Sequence, residues 1–565
     1  MAGVEVLVVG AGPTGLVLAL WLTRRGVRVR VIDKTAGPGT TSRALVVHAR
    51  TLEFYRQLGL ADAAVERGLK FAAANVWVGG ERVARAAFGE MGTGLSPFPY
   101  VLIFPQDEHE PLLIDHLARA GVEVERRTAL LGFADEGGRV LARLERPDGA
   151  EEPCAAAYLA GCDGARSTVR AGLGTGFPGG TYGQTFYVAD AQAAGPVVDG
   201  DLNVALDDAD FLAVFPLKGD GRARFIGTVR PDAGAAGAVP TWEGVSPRIL
   251  ERVRVRVLGV NWFSTYRVHH RVAGRFRSGR VFLLGDAAHV HSPVGGQGMN
   301  TGIGDAVNLA WKLAAVLRGR AAPGLLDTYE PERIAFARRL VATTDRAFTF
   351  VTSPGPVARR VRVGVVPRLL PVLVRSGAVR RAMFRAISQT AVSYRGLGLG
   401  AGRAGRVRGG DRLPWVRLDG AGERRDADNH AALGAVEWQV HVYGACAPGL
   451  ERACAGRGLA LHVFAWRPAM RRAGLRRDAA YLVRPDGHVA LADPAADPAR
   501  LEAFCERWTL HPGGGAGASG RRPDAGPAPG RAGAGPGVAE VAGGSRPVGT
   551  ALCRQGTSAP REEKG

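Results

Sequence analysis

The sequence predicts an α/β protein: a dinucleotide-binding unit first, a strand-rich insertion in the middle, and a smaller α/β unit toward the C-terminus. Three patterns predict it. VEVLVVG, GPTGLVLALWLTRRG and VRVRVID give a continuous apolar strand, a helix ending at Gly26 and an alternating strand, a β-α-β unit of about thirty residues. From about Gly176 to Arg275 the text is strand-rich with Gly and Asp turns, and FLAVFPLKGDGRARFIGTVR reads as a hairpin. Between Trp415 and Trp508, EWQVHVYG, LALHVFAW and AAYLVRPDGHVAL read as strands, with helices before the second and after the third.

The remaining elements fit between these. NVWVGGERVARAAF and RVLARLERPDG alternate as strands, the latter closing on a Pro-Asp-Gly turn. RVFLLGD returns to the buried-strand style, and IGDAVNLAWKLAAVLRG is a helix with apolar residues three and four apart. After Tyr329 come Arg-rich helices to about Gly400, then the linker GLGLGAGRAGRVRGGDRLP. From about His511 the chain is rich in Gly, Ala, Pro and Arg with almost no large apolar residues. Such a tail cannot bury enough surface to offset chain entropy and is expected to be disordered.

Composition narrows the function classes. The chain has 565 residues, 46% hydrophobic and 22% charged, which excludes wholesale disorder. Its 80 Gly show no three-residue period, which excludes collagen. The six Cys (154, 162, 446, 454, 505 and 553) contain no C-x-x-C pair, so a disulfide scaffold, a Cys-rich zinc module and a dithiol redox centre are unsupported. The net charge of +20 is carried almost wholly by Arg. About sixteen Arg against three acids fall between Ala358 and Arg425, so over half the excess sits in one tract. No aromatic-studded or zinc-type nucleic-acid reader accompanies that tract; an anionic substrate, cofactor phosphates or a solvated helical face explains it more simply. The apolar run Val4–Leu22 carries Glu5 and is cut by Gly10, Gly12, Pro13 and Gly15, so it is no signal peptide. VRVGVVPRLLPVLVR is interrupted by Pro and Arg, which makes a poor spanning helix. A soluble, cytoplasmic protein without membrane or nucleic-acid partners is expected.

Three motifs carry chemistry. In the first, Gly10-x-Gly12-x-x-Gly15 follows the first strand and Asp33 closes the second. Gly10 permits the tight turn, Gly12 lets a pyrophosphate approach the backbone, and Gly15 lets helix and strand pack closely. The helix N-terminus meets the phosphates with partial positive charge, and Asp33 would accept hydrogen bonds from a ribose. This fingerprint does not choose between NAD and FAD. The second is YLAGCDGARSTVR, where Asp163-Gly164 follows a strand and Arg166, Ser167 and Arg170 open a helix. The third is VFLLGDAAHVHSPVGGQGMNTGIGDAVNLAWKL, in which Gly285-Asp286 ends a buried strand and a helix begins near Asn300. A carboxylate at a strand end can bind a polyol chain such as ribityl. The N–H groups of Gly298, Met299 and Asn300, beside a helix N-terminus, can hold an anionic ring edge.

In this order and spacing, the three motifs resemble the flavoprotein aromatic hydroxylases of the para-hydroxybenzoate and phenol hydroxylase superfamily. The likeness runs from Val4 to Arg339 and includes SRALVVHARTLEFYRQLGL and FPQDEHEPLLIDHL. ISQTAVSYR, GGDRLPWV and LVRPDGHVAL look like the aromatic polyketide hydroxylase branch, although His488 and Leu491 stand where relatives often carry aromatic residues. The resemblance implies a para-hydroxybenzoate-hydroxylase-type fold, with the FAD-binding domain split over residues 1–174 and 276–345 around a substrate domain at 175–275. It further implies a helical linker region at 346–400, a thioredoxin-like domain without redox cysteines at 401–510, and the tail at 511–565. FAD would be bound without covalent attachment and reduced by NADPH or NADH. Reaction with O2 would then give a C4a-hydroperoxide that oxygenates a polycyclic phenol, or, as an alternative in the same branch, a ketone by Baeyer–Villiger chemistry. The protein itself would be a monomer or homodimer.

Carried over position by position, the resemblance places cofactor contacts at Gly10, Gly12, Pro13, Thr14, Gly15, Asp33 and Lys34. It places others at Arg43, Gln106, Asp163, Gly285, Asp286, Pro293, Gly298, Met299 and Asn300. Arg43, in SRA, matches the Arg that helps hold a moving flavin between its reducing and oxygenating positions, and is the one catalytic candidate. Trp77, Phe104, Phe211, Phe215 and Pro216 lie on strands expected to roof a substrate cavity. Other motifs carry little. His289 and His291 form H-x-H without a nearby third ligand, so no metal is expected. His269-His270 reads as a strand-edge pair. No G-x-S-x-G elbow supports hydrolysis, and the W-x-W-x-I-P signature of flavin halogenases is absent.

Overall fold

The computed structural model describes residues 3–39, 44–87, 91–206, 211–229, 241–242, 245, 247–352, 360–418 and 427–513. At its centre is a parallel sheet in the order Val281–Leu283, Glu151–Gly161, Val4–Val9, Val29–Asp33, Val124–Arg126. Val6, Leu7 and Val8 are fully buried, as an apolar run covered on both faces must be. Helices Pro13–Arg24, Gln106–Arg119 and Gly298–Leu317 pack together over this sheet. An antiparallel hairpin, Ala129–Asp135 and Val140–Glu145, extends the long strand Glu151–Gly161.

The chain leaves Val4–Val9 toward one neighbour and returns on the other side, so the sheet has a switch point at the C-terminal end of that strand. Open α/β sheets bind ligands at such crevices. All three glycine motifs end here: Gly10 after the first strand, Asp163-Gly164 after the second neighbour, Gly285-Asp286 after Val281–Leu283.

A second, eight-stranded sheet runs His289–Val290, Arg256–Val272, Gly179–Ala194, Arg222–Val229, Phe211–Pro216, Leu202–Leu206, Ala73–Val78, Glu81–Ala87. Phe211–Pro216 and Arg222–Val229 form the expected hairpin. Its last two strands come from far earlier in the chain, Ala73–Val78 pairing in parallel with Leu202–Leu206. Strand alternation divides the sheet into two faces. Leu212, Val214, Tyr187, Phe225 and Trp77 belong to one core cluster; Ala213, Ile226 and Val188, with Phe211 and Phe215 packed beside them, belong to the cluster that also holds the central sheet.

Beyond Tyr329 lie the helices Tyr329–Thr352, Val366–Arg375 and Gly377–Ile387. A third sheet follows, in the order Val407–Arg408, Ala401–Ala404, Val489–Asp493, Ala480–Val483, Gln439–Tyr443, Ala460–Phe464. The expected tail begins with three described residues, two of them tethered, His511 N–H donating to Arg320 O and Gly513 N–H to Arg457 O. The remainder of the tail lies outside the described residues.

Candidate functional site

The glycine fingerprint is tight on two sides and open on the third. A Cβ on Gly10, whose φ is +104°, would collide with Cys162 O, and one on Gly15 would collide with Gly10 O. A Cβ on Gly12 would meet nothing within 4 Å. The loop is therefore pressed against strand and helix while its Gly12 edge stays clear, which is the cradle a dinucleotide pyrophosphate needs. Pro13 occupies the first helical turn, where its missing N–H costs nothing. Asp33 holds this loop directly: its Oδ2 accepts from Ala11 N–H at 2.7 Å and its Oδ1 from Thr35 N–H at 2.8 Å. Lys34 beside it is exposed.

Thr14 is a joint between two helices. A Cβ on Gly285 (φ +58°) would lie 2.6 Å from Thr14 Oγ1, and one on Gly302 would collide with the same atom. Small residues at 285 and 302 thus let the start of Gly298–Leu317 close on the fingerprint helix. Asp286 is exposed between buried Gly285 and Ala287. Arg170 donates to Ala287 O at 2.9 Å and so fixes the turn that carries Asp286. Asp163 is committed to its own helix, accepting from Ser167 Oγ at 2.6 Å and Val169 N–H at 3.1 Å. That makes it a cap for the Thr168–Leu173 helix, and through Arg170 a support for Asp286.

The helix start at Gly298 is held from several sides. Asn300, 1% exposed, donates through Nδ2 to Val46 O (2.8 Å) and Gly296 O (2.9 Å). Its Oδ1 accepts from His48 N–H (2.9 Å) and Thr51 Oγ1 (2.8 Å). The Asn300 side chain is thereby saturated, so only its backbone N–H remains for a ligand, as for Gly298 and half-buried Met299. Pro293 is exposed just before this loop. His48 Nε2 donates to Gly295 O at 2.8 Å, and burial pushes its pKa down to about 4, so it is neutral. Asp305 lies one turn further on, completely buried; it accepts from Gly285 N–H (2.9 Å), His289 Nε2 (2.7 Å) and Arg333 Nε (2.6 Å). Burial opposes its charge, but Arg333 and His289 outweigh burial and hold its pKa below the usual carboxylate range.

Gln106 heads the Gln106–Arg119 helix, and its Nε2 donates to Glu110 Oε1 at 2.7 Å. Glu110 also accepts from Gly39 N–H at 3.1 Å, tying Gln106 to the loop after the second strand. Burial raises the Glu110 pKa. Arg43 lies outside the described residues.

On the second sheet, register places Phe215, Arg224, Asp190 and Trp262 in one row, and Phe211, Thr228, Phe186 and Tyr266 in another, all on one face. Arg224 and Asp190 form a two-pronged ion pair at 2.6 and 2.7 Å. Phe211 and Phe215 therefore line the face that shares a core with the central sheet. Trp77 and Pro216 do not: alternation turns both to the opposite face. Trp77 is 5% exposed there and donates to Asn203 Oδ1 at 2.7 Å. Phe104 is fully buried against His109, ring centroids 5.1 Å apart, and is core rather than cavity lining. His289 Nε2 donates to Asp305, and among the described residues no group of three or more His, Cys, Asp or Glu is arranged to hold a metal ion.

Sequence reasoning missed Asn300's side-chain role, Asp305, Arg333, His48, Trp262 and Tyr266. Asp305 had a signal, an acid inside an apolar helical repeat; Trp262 and Tyr266 had one in strand alternation. Arg333 and His48 had none, because their partners are remote in sequence.

A family profile described as an FAD binding domain matches residues 3–344. The chain belongs to this family of flavoprotein monooxygenases. It is similar to the 6-methylpretetramide 4-monooxygenase of Streptomyces rimosus, 42% identical over 386 residues, 66% of this chain and 67% of that protein. It is 34% identical over 471 residues to a flavin-dependent monooxygenase of Mycobacteroides abscessus, covering 80% of this chain and 90% of the relative. Among solved structures, aklavinone-11 hydroxylase with FAD and aklavinone superposes with a TM-score of 0.72 at 29% identity, over 89% of this chain and 98% of that one. The protein is an FAD-dependent monooxygenase of para-hydroxybenzoate-hydroxylase-type fold. No described helix is long and apolar enough to cross a membrane.

Proposed function

We propose that the chain oxygenates a polycyclic, polyketide-type phenol, with FAD lying along the strand ends and the phenol between it and the second sheet. The observation that carries this reading is the convergence at one crevice of the clear Gly12 edge, the exposed Asp286 and the free helix start at Gly298–Asn300, on the side of the core shared with Phe211 and Phe215. The names of two similar proteins, acting on 6-methylpretetramide and on aklavinone, support the substrate class. Bound FAD supplies electron exchange with NADPH or NADH and activation of O2.

The chain's own residues supply placement. Gly12 and the first helix hold the pyrophosphate, Asp33 the adenosine ribose and Asp286 the ribityl chain. The N–H groups of residues 298–300 meet the anionic ring edge. Phe211, Phe215, Trp262 and Tyr266 exclude water and stack on the substrate. Arg43, with its planar fork of donors, biases the position of the ring. Residues 175–275 act as the substrate domain and 401–510 as a thioredoxin-like unit without redox function. The enzyme is cytoplasmic, a monomer or homodimer.

The purified protein is expected to show oxidised-flavin absorbance released by heat, and to consume NADPH faster with a tetracyclic phenol. Isotopically labelled O2 should place one oxygen atom in the product with its ring count unchanged. An expanded lactone ring would replace hydroxylation by Baeyer–Villiger oxygenation; absence of flavin would end the reading.

A further inference from the structure

Gln389 lies beyond the residues matched by the FAD family, in the stretch after the Gly377–Ile387 helix, yet it reaches the helix start proposed to meet the flavin ring. Its backbone is left-handed, φ +59°, a conformation that a non-glycine residue holds only when its surroundings impose it. Those surroundings are visible. Ser388 O accepts from Arg50 N–H at 3.2 Å, and Gln389 O accepts from Val392 N–H at 3.3 Å. The side chain, in a residue 6% exposed, donates through Nε2 to Thr301 Oγ1 at 2.9 Å; Thr301 Oγ1 in turn donates to Gln297 O at 2.9 Å. Gln389 Nε2 also lies 3.3 Å from Gln297 Oε1 and 3.4 Å from Gln297 O.

Gln297 O and the Gly298 N–H belong to one peptide unit. Because that unit is planar and trans, fixing the carbonyl fixes the direction of the N–H on its far side. Donors on the carbonyl also polarise the peptide and strengthen its N–H as a donor. Gln297 O receives Thr301 N–H (2.9 Å) and Thr301 Oγ1, with Gln389 behind the hydroxyl. A second brace comes from the same segment: Tyr394 OH accepts from Arg333 Nη1 at 2.8 Å, and Arg333 Nη2 donates to Thr301 O at 3.0 Å.

We infer that Gln389 is a positioning residue that aims and strengthens the Gly298 N–H toward the reduced flavin, so that the segment after the FAD family region tunes the cofactor's reduction potential. This rests on the proposed flavin site. The amide donates where a carboxylate could only accept, and every neighbouring atom it addresses is an acceptor.

The test is the two-electron potential of FAD on the holoenzyme, read by equilibration with a redox dye, together with the melting temperature of the apoprotein. Gln389→Glu should shift the reduced-to-oxidised ratio at least tenfold toward oxidised flavin, ~30 mV for a two-electron couple. Gln389→Asn tolerates the left-handed backbone but is one methylene too short to reach Thr301; it should shift the ratio the same way by a smaller factor, with the apoprotein melting as wild type. If both variants keep the wild-type potential while Asp286→Ala loses FAD, the positioning role is refuted and the site reading stands. If Asp286→Ala retains FAD with unchanged affinity, the flavin site itself is misplaced and the inference falls with it.

Discussion

At the strand ends, Asn300 spends all four of its hydrogen-bonding positions on Val46, Gly296, His48 and Thr51, whereas on the long antiparallel sheet Phe211 and Phe215 present only hydrocarbon. The first region is over-determined. Loop 285–289, segment 46–51 and segment 388–394 all converge on one helical turn, through buried groups whose loss leaves partners unsatisfied. The second region is defined by alternation and shape, with the Asp190–Arg224 pair as the ion pair within the two rows named. A cofactor must be held in one geometry, and in the proposed reading the polar wall is what holds it. Substrates differ among relatives, and an aromatic wall can be resized without stranding a buried partner.

The largest expected break in this contrast is on the polar side. Arg333→Met removes the guanidinium from Asp305 and leaves a buried carboxylate short of its partner, which costs about 3–5 kcal/mol. Denaturant unfolding of the apoprotein should show the loss, and FAD should bind more weakly because Asp305 also anchors the Gly285 N–H. A smaller effect comes through His48. Its folded pKa of about 4 lies below that of an unfolded His, so the contribution is present above pH 6.5 and is lost as pH falls toward 4. At pH 5 this residue alone should cost about 2 kcal/mol relative to pH 7. A His48→Asn variant, compared with wild type at both pH values, should lack that increment; an equal acid sensitivity would show that His48 is charged in the fold.

On the apolar side, Phe215→Ala should raise KM for the phenol roughly tenfold, about 1–2 kcal/mol of lost apolar contact, with FAD affinity unchanged. Trp77→Phe is the matching control on the other face. It removes the bond to Asn203 and should lower stability by about 1 kcal/mol while leaving KM as it was. If Trp77→Phe changed KM as Phe215→Ala does, the two faces would be wrongly assigned.

The same contrast explains what was legible in the sequence. The fingerprint was legible because Gly10, Gly12, Gly15 and Asp33 act within one β-α-β unit, where spacing reports geometry. The place of Asp286 and the Gly298 turn at the strand ends is legible for a similar reason, because both lie on one strand–loop–helix segment. Phe211 and Phe215 follow from the hairpin, whereas Trp77 and Pro216, on strands also expected to roof the cavity, lie on the opposite face. A strand's phase relative to the core depends on register with Leu202–Leu206 and Arg222–Val229, which local pattern does not state. Arg333 and Gln389 were invisible, since each is joined to Thr301 only by the packing of distant helices.

The most direct test of the polar wall as a flavin site is the FAD dissociation constant of Asp286→Ala, measured by quenching of flavin fluorescence on titration with apoprotein. Losing a hydrogen bond to a charged group should weaken binding ten- to hundredfold, about 1.5–3 kcal/mol, with the apoprotein still folded. Binding at the wild-type constant would contradict the account.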